Sequence, residues 1–123
     1  MILAPMQPAD IDSVLEIEQT AFHTPWYRSA FIGELQQPHS RSFVIRLDLD
    51  GNQPLNNTAP IIGYVCYQLI INELHLLKIA INKNYRRRGA AFFALNECFE
   101  KEAGNGADAC ILEVRQSNAA GIG

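Results

Sequence analysis

Hydrophobic positions along the chain recur with two different periods, which separate predicted helices from predicted strands. Spacings of three and four residues predict helices over residues 8–22, about 27–36 and 90–103. Pro8 and Asp10 favour the start of the first helix, and Phe92, Leu95 and Phe99 form one apolar stripe on the third. The chain therefore contains three predicted helices, the first two adjacent in sequence.

Apolar runs, some alternating with polar residues, predict strands over residues 2–6, 43–47, 61–71, 74–81 and 109–114. Residues 48–60 are rich in Asn, Gly and Pro and predict a long exposed hairpin loop. Asn72 and Glu73 separate two strands and predict a second hairpin, and residues 117–120 are typical of a capped helix start. The order of elements predicts a sheet of at least three antiparallel strands combined with helices.

Composition narrows the class of protein. The 123 residues carry a formal net charge of −3 and are 48% hydrophobic, as expected for one globular domain rather than a disordered or fibrous chain. No apolar run reaches the ~20 residues of a membrane span, and the first residues lack a charged signal-peptide start. We therefore expect a cytoplasmic protein that does not bind membranes. Cys66, Cys98 and Cys110 lie in apolar runs without C-x-x-C spacing, which predicts buried thiols and neither disulfides nor a metal site.

Two carboxylates interrupt apolar patterns. Glu18 lies in the stripe of the first helix, and the favoured interpretation is a helix-edge carboxylate with a local partner, with a catalytic role as the alternative. Glu113 lies within the last predicted strand, on the same face as Ile111 and Arg115. From spacing alone Glu113 is either a salt-bridge partner of Arg115, an exposed edge residue or a general base.

Residues 82–89 form a polar, arginine-rich loop between a predicted strand and a predicted helix. The first N–H groups of a helix lack partners inside it and lie at the positive end of its dipole, so such a junction binds anions. Gly89 and Ala91 are small enough for a pyrophosphate to approach the backbone, and three arginines add positive charge. The Walker and dinucleotide glycine patterns are absent from the sequence. A nucleic-acid patch is disfavoured because the chain is acidic overall, and a solvated basic turn is the other alternative.

Four patches in the same order resemble the GCN5-related N-acetyltransferase (GNAT) family. Arg86-x-x-Gly89-x-Ala91 resembles its [Q/R]-x-x-G-x-[G/A] acetyl-coenzyme A motif, and Ile79-Ala80-Ile81 resembles the strand ahead of that motif. The run that starts Leu112-Glu113 and reads LEVRQSN is similar to the L-E-V-R-x-S-N signature of the ribosomal-protein-alanine acetyltransferase (RimI) group. Residues 17–18 and 22–26 resemble the first helix and following loop of that group. The similarity covers essentially the whole chain.

The resemblance implies a single N-acetyltransferase domain over residues 1–123 with the GNAT α/β fold, a mixed, mostly antiparallel sheet with helices on both faces. Acetyl-CoA would lie between the strands at 74–81 and 109–114, and no metal is implied. Residues 79–81 would bind the pantetheine arm and polarise the thioester carbonyl, and Asn118 would contact the cofactor. Glu113 would be the general base, with Glu73 in reserve. The pyrophosphate would be held by backbone groups of Arg87, Arg88, Gly89, Ala90, Ala91 and Phe92.

The acceptor implied by the resemblance is a protein N-terminal amine, most specifically the N-terminal alanine of a ribosomal protein. A lysine or a small amine is the alternative, since the fold does not fix the acceptor. Tyr27 and Lys78 differ from the residues usual in the group at their positions, which bears on substrate identity.

The family sequence continues past the Asn-Ala-Ala segment into a helix with a general-acid tyrosine and two further strands, which these 123 residues do not contain. We therefore expect a C-terminally truncated enzyme whose activity is impaired, with a non-catalytic CoA-binding module as the alternative. The last predicted strand would then have an unpaired edge, which predicts a homodimer.

Overall fold

A computed structural model describes residues 1–47, 59–104 and 109–112, the last four by their backbone. The helices are α1 (Ile11–Ala21), α2 (Arg28–Gln36) and α3 (Ala90–Gly104). The strands are β1 (Ile2–Pro5), β2 (Ser40–Arg46), β3 (Ile61–Ile70), β4 (Glu73–Ile81) and β5 (Ala109–Leu112). Every predicted helix and strand in the described ranges is confirmed, with ends shifted by a few residues. The predictions for residues 48–58, 113–114 and 117–120 lie outside these ranges.

The five strands form one sheet in the order β1-β2-β3-β4-β5. The first four are antiparallel, and β5 is parallel to β4, with Glu73 opposite Ala109 and Leu76 opposite Leu112. A parallel pair needs a crossover, which α3 provides between β4 and β5. The predicted mixed, mostly antiparallel sheet is therefore confirmed.

The β3–β4 hairpin turns at Ile71 and Asn72, one residue earlier than the prediction of Asn72 and Glu73. Both turn residues have positive φ, 44° at Ile71 and 61° at Asn72. This is the backbone of a two-residue type I′ turn, whose twist matches that of the flanking strands. Glu73 is therefore the first residue of β4 and not part of the turn.

A β-bulge at Leu77 changes the direction of side chains along β4. Consecutive residues of β3 pair with Leu76 and Lys78, so Leu77 has no partner in that ladder. A bulge shifts the alternation by one residue. Leu76 and Ile79 consequently belong to the same core although they are an odd number of positions apart, whereas Lys78 contacts α1 on the opposite face.

Helices cover both faces of the sheet, as predicted. Helices α1 and α2 pack on one face, against Val44, Tyr64 and Ala80, and we call this the α1/α2 face. Helix α3 packs on the other, the α3 face, against a core that includes Val65 and Ile79. Cys66 and Cys98 are buried, one on each face, which confirms the prediction for these two thiols, and the side chain of Cys110 is not described.

The buried side of α3 differs from its apolar stripe. Phe92 is 76% exposed and Phe99 39% exposed, and Leu95 is half-buried. Small residues and one carboxylate face the sheet instead: Ala90, Ala91, Ala94, Cys98 and Glu102. Small side chains let a helix backbone approach a sheet closely, and Phe92 and Phe99 of the predicted stripe stay exposed. No helix in the described ranges is long and apolar enough to span a membrane.

Candidate functional site

The loop that leaves β4 is held to the end of the strand by hydrogen bonds. Its first residue, Asn82, donates its N–H to the Ile62 carbonyl at 2.7 Å, and its side chain accepts from the N–H of Asn84 at 3.0 Å. Further along, the Nε of Arg86 donates to the Ile81 carbonyl at 3.1 Å. One motif arginine therefore holds the loop against the end of β4.

The loop reaches α3 through two residues in the left-handed region. Arg87 has φ 65° and Gly89 has φ 76°. The N–H of Phe93 donates to the Gly89 carbonyl at 2.9 Å, so the N–H groups that precede Phe93 in the first turn have no acceptor inside the helix. Ala90 and Ala91 are buried against the sheet, whereas the loop from Arg87 to Gly89 is exposed. Main-chain donors thus point from the helix start into an exposed, arginine-rich surface, as an anion requires.

The end of β4 lies beside this loop and has one edge without a strand partner in the described ranges. Strand β5 pairs with β4 over Glu73–Leu76, before the bulge, and the described pairing does not extend to residues 78–81. On the other edge Gly63 packs tightly, since a Cβ there would lie 2.7 Å from the Ala80 carbonyl oxygen and 2.7 Å from Cδ1 of Ile81. The segment predicted to bind the pantetheine arm is therefore closely packed on one edge.

The structure thus brings two sets of predicted site residues together. Ile79 and Ile81 belong to the same buried cluster as Ala90 and Ala91. The hydrogen bond from Arg86 to Ile81 holds the intervening loop against the strand end. The predicted base Glu113 and the predicted cofactor contact Asn118 lie outside the described residues. Their assigned roles stay predictions.

A buried ion pair lies on the α1/α2 face, and the sequence interpretation missed it. Glu18 of α1 is fully buried and accepts hydrogen bonds from Nζ of Lys78 at 2.6 Å, from the backbone N–H of Trp26 at 2.8 Å and from the hydroxyl of Tyr64. The Lys78 ammonium lies 3.7 Å from the ring centroid of Phe22 and 4.8 Å from that of Trp26. The carboxylate therefore joins α1, the α1–α2 connection and two strands.

The interpretation of Glu18 as a helix-edge carboxylate with a local partner is wrong. Its side-chain partners Tyr64 and Lys78 lie 46 and 60 residues away in the sequence. The signal that could have found the pair is the occurrence of two opposite charges, each interrupting a different apolar run, because buried charges require partners.

Burial raises the pKa of Tyr64 far above its ordinary value, and the adjacent Glu18 carboxylate adds to the shift. The hydroxyl therefore stays protonated and acts as a donor to Glu18. On the α3 face Tyr67 donates to Glu102 in the same way, and burial raises its pKa as well. Each face of the sheet thus has one buried tyrosine–glutamate hydrogen bond.

The reserve base, Glu73, has a partner that sequence reasoning did not single out. Its Oε1 lies 3.2 Å from Nε2 of His75, and both side chains are partly exposed. In the β4–β5 ladder His75 is opposite Ile111, which lies two residues before Glu113. A carboxylate and an imidazole at hydrogen-bonding distance can accept and pass on a proton.

Comparisons with known proteins show the family of this chain. The model of the acetyltransferase (GNAT) family matches residues 11–123. The chain is 33% identical over 118 residues to a Bacillus subtilis (strain 168) protein provisionally named ribosomal protein bS18-alanine N-acetyltransferase, covering 92% of this chain and 69% of that protein. It is 26% identical to ribosomal protein bS18-alanine N-acetyltransferase of Salmonella typhimurium, covering 95% of this chain and 72% of the relative.

A solved structure is similar over nearly the whole chain. The crystal structure of the ribosomal-protein-S18-alanine N-acetyltransferase from Escherichia coli superposes with a TM-score of 0.74 at 25% identity, covering 98% of this chain and 71% of that one. The resemblance inferred from the four sequence patches is confirmed. The chain therefore belongs to the acetyltransferase (GNAT) family and is an acetyl-CoA-dependent N-acetyltransferase.

Proposed function

We propose that this chain transfers the acetyl group of acetyl-CoA to the α-amine of a protein N-terminus, and that the acceptor is an N-terminal alanine of a ribosomal protein. The observation that carries the proposal is the similarity, over 92–95% of the chain, to two bacterial proteins named for that acceptor. A ribosomal acceptor also implies that the protein works in the cytoplasm.

The helix start of α3 is the proposed diphosphate site. Backbone N–H groups between Arg87 and Phe92 would bind the phosphate oxygens, which needs no particular side chain and tolerates a varied sequence. Two features support this role: the positive φ of Gly89 and the exposure of the loop. The side chains of Arg87 and Arg88 would add charge, while that of Arg86 holds the loop to β4. Asn118 would contact the cofactor further along the chain.

Ile79, Ala80 and Ile81 have one edge without a strand partner among the described residues, and this edge is the proposed site of the pantetheine arm. An extended amide-containing chain can add to a strand edge as another strand would. A backbone N–H of this segment would then donate to the thioester carbonyl oxygen, where negative charge develops during attack. The close packing of Gly63 against Ala80 supports this assignment because it fixes the opposite edge of the same segment.

Glu113 is the proposed general base. A peptide α-amine has an ordinary pKa of about 7.7–8.0, so a carboxylate acting directly or through water suffices to take the proton from its ammonium form. The neutral nitrogen then forms a bond to the carbonyl carbon and the C–S bond breaks. The nitrogen loses a second proton to become the amide, which balances the proton that the departing thiolate takes up. Glu73, paired with His75, is the alternative base.

An amine panel with a thiol-release readout tests the function. Purified protein would receive acetyl-CoA and one of three acceptors: an N-terminal alanyl peptide, a lysine peptide with a blocked N-terminus, or a polyamine. We expect release of CoA thiol with the alanyl peptide at a kcat/KM about tenfold or more above that with the other two. Transfer to lysine or polyamine alone would contradict the acceptor assignment, and CoA binding without transfer to any amine would indicate a non-catalytic module.

Dimerisation stays a prediction. Strand β5 is last in the sheet order of the described residues, and an edge strand offers unpaired backbone groups to a second chain. Size-exclusion chromatography at micromolar concentration should give the elution volume of a dimer. Elution as a monomer would contradict it.

A further inference from the structure

The Glu18–Lys78 pair fixes the segment that joins α1 and α2. This segment, residues 22–27, is called the connector below. The N–H of Trp26, near the end of the connector, donates a hydrogen bond to Glu18. The rings of Phe22 and Trp26 both lie against the ammonium of Lys78. The connector therefore takes its position from a side chain of β4 and not from α1 and α2 alone.

The bulge in β4 is what makes this pairing possible. If Leu77 were an ordinary paired residue of a regular strand, alternation would turn position 78 toward α3, the side on which Leu76 packs. With the bulge, Lys78 turns to the α1/α2 face and meets Glu18. Bulges occur next to active sites, where they redirect a side chain.

Burying two charges is an expensive way to stabilise a fold. The Lys78 side chain is 8% exposed and that of Glu18 is 0% exposed, so both charges have lost most of their hydration. An apolar pair of similar volume commonly gives equal or greater stability, and a buried ion pair instead selects one arrangement among several. The selected arrangement here is the position of the connector.

The connector lies on the side from which an acceptor would reach the thioester. Lys78 directly precedes residues 79–81, where the thioester would lie, and the diphosphate loop leads into α3 on the α3 face. With the cofactor entering from the α3 side, the amine is left with the α1/α2 face, on which the connector is the segment in contact with Lys78. Tyr27, the last connector residue, is 81% exposed there.

We propose that the Glu18–Lys78 ion pair is a positioning device that fixes the connector as the acceptor-side wall of the active site. The inference rests on the proposed function and deepens it. Glu18 and Lys78 act through Phe22 and Trp26 and touch neither the acetyl group nor the amine. Loss of the pair should therefore weaken acceptor recognition while acetyl-CoA binding is retained.

The test compares Lys78→Met and the double variant Glu18→Gln/Lys78→Met with the wild type. The double variant removes both charges at once, so it keeps the test available should the single variant unfold. Asp12→Asn is the matched control, since Asp12 pairs with Arg28 and so also links α1 to α2, but on the surface. The acceptor is whichever amine of the panel is turned over best.

We expect both Lys78 variants to raise the KM for the acceptor about tenfold with kcat and the dissociation constant of acetyl-CoA within about twofold. If the ion pair were purely structural, its loss would lower the melting temperature. The acceptor KM would then stay unchanged at temperatures where the variants are folded. Acceptor KM within about twofold of the wild type in both variants would overturn the inference. So would an equal loss of acetyl-CoA affinity.

Trp26 gives a readout that does not depend on turnover, because it is the single tryptophan of the chain. Its emission should move to longer wavelength in the Lys78 variants and stay unchanged in Asp12→Asn. Unchanged emission in the Lys78 variants would contradict the proposed contact between pair and connector. If the Trp26 emission shifts in the Lys78 variants as expected but the wild type does not bind acetyl-CoA, the proposed function is refuted instead. The two failures are therefore distinguishable.

Discussion

The two faces of the sheet differ in the side chains that lie between the sheet and its helices. The α3 face meets its helix through small residues such as Ala90 and Ala94, and the binding groups proposed for it are main-chain amides around Gly89. The α1/α2 face instead buries a charged pair, Glu18 and Lys78, beneath the connector. Both faces have a buried tyrosine–glutamate hydrogen bond, and on the α1/α2 face the buried ammonium of Lys78 also contacts the aromatic rings of the connector.

This difference matches the two ligands proposed for the site. A diphosphate is recognised by charge and main-chain geometry and therefore needs small side chains and free N–H groups. An amine acceptor is recognised by shape and position, which requires side chains held in one arrangement. We infer that the α3 face serves the acetyl carrier and the α1/α2 face the acceptor.

The largest expected effect is the loss of stability when one partner of the buried pair is removed. Lys78→Met leaves the Glu18 carboxylate buried without its ammonium, and such changes lower the free energy of unfolding by about 3–5 kcal/mol. The corresponding surface change Arg28→Met breaks a pair whose side chains are 51% and 81% exposed. Urea denaturation should give a loss of about 1 kcal/mol or less for Arg28→Met. Equal losses in the two variants would remove the contrast between buried and exposed pairs.

The next largest effect is expected from substitution of the proposed general base. Glu113→Gln keeps the shape of the side chain and removes its ability to take a proton, so kcat/KM should fall about a hundredfold with acetyl-CoA affinity unchanged. Glu73→Gln is the control. Undiminished activity in Glu113→Gln together with a large loss in Glu73→Gln would move the role to the Glu73–His75 pair.

A smaller effect is expected from Gly89→Ala on the α3 face. At φ 76° a Cβ is unfavourable although no atom lies within 4 Å of it, so the change acts on the backbone conformation. A penalty of about 1–2 kcal/mol should appear as an affinity for acetyl-CoA lowered about tenfold. Gly33→Ala in α2 is the control, since that glycine has ordinary φ and open space, and it should be neutral or slightly stabilising. Equal affinities in the two variants would argue against a role for the loop backbone.

The smallest effect is a pH dependence that should be alike on the two faces. Burial raises the pKa of the Cys66 thiol to about 12 and that of the Cys98 thiol to about 12, from an ordinary 9.0. Because a thiol ionises in the unfolded chain first, its contribution to stability is fully present below pH 9.0 and is lost as the pH rises toward about 12.

Urea denaturation at pH 8 and pH 10 should therefore show a loss of about 1 kcal/mol per thiol. Replacing either Cys66 or Cys98 by Ala should reduce the pH dependence of the free energy of unfolding, and the two reductions should be similar. If only one of the two replacements changes this pH dependence, the two faces differ in how completely they exclude water as well as in charge.

Local patterns predicted most of the architecture. The strands and helices follow from hydrophobic period, and the strand–loop–helix junction at Gly89 follows from small residues, charge and the family motif. The hairpin turn was displaced by one residue because Ile71 adopts a positive φ that the residue type disfavours.

What the sequence did not reveal depends on contacts between distant segments. The buried side of α3 was missed because packing distance and not residue size selects Ala90 and Ala94 over Phe92. The Glu18–Lys78 pair joins positions 60 residues apart and depends on a bulge at Leu77, for which the sequence gives no local signal. The roles of Glu113 and Asn118 stay predictions from the family motif.

Equilibrium dialysis of the purified chain against radiolabelled acetyl-CoA tests the central claim most directly. The account predicts saturable binding at one site per chain, weakened in Gly89→Ala and retained in Lys78→Met. Absence of measurable binding to the folded wild-type chain would contradict it.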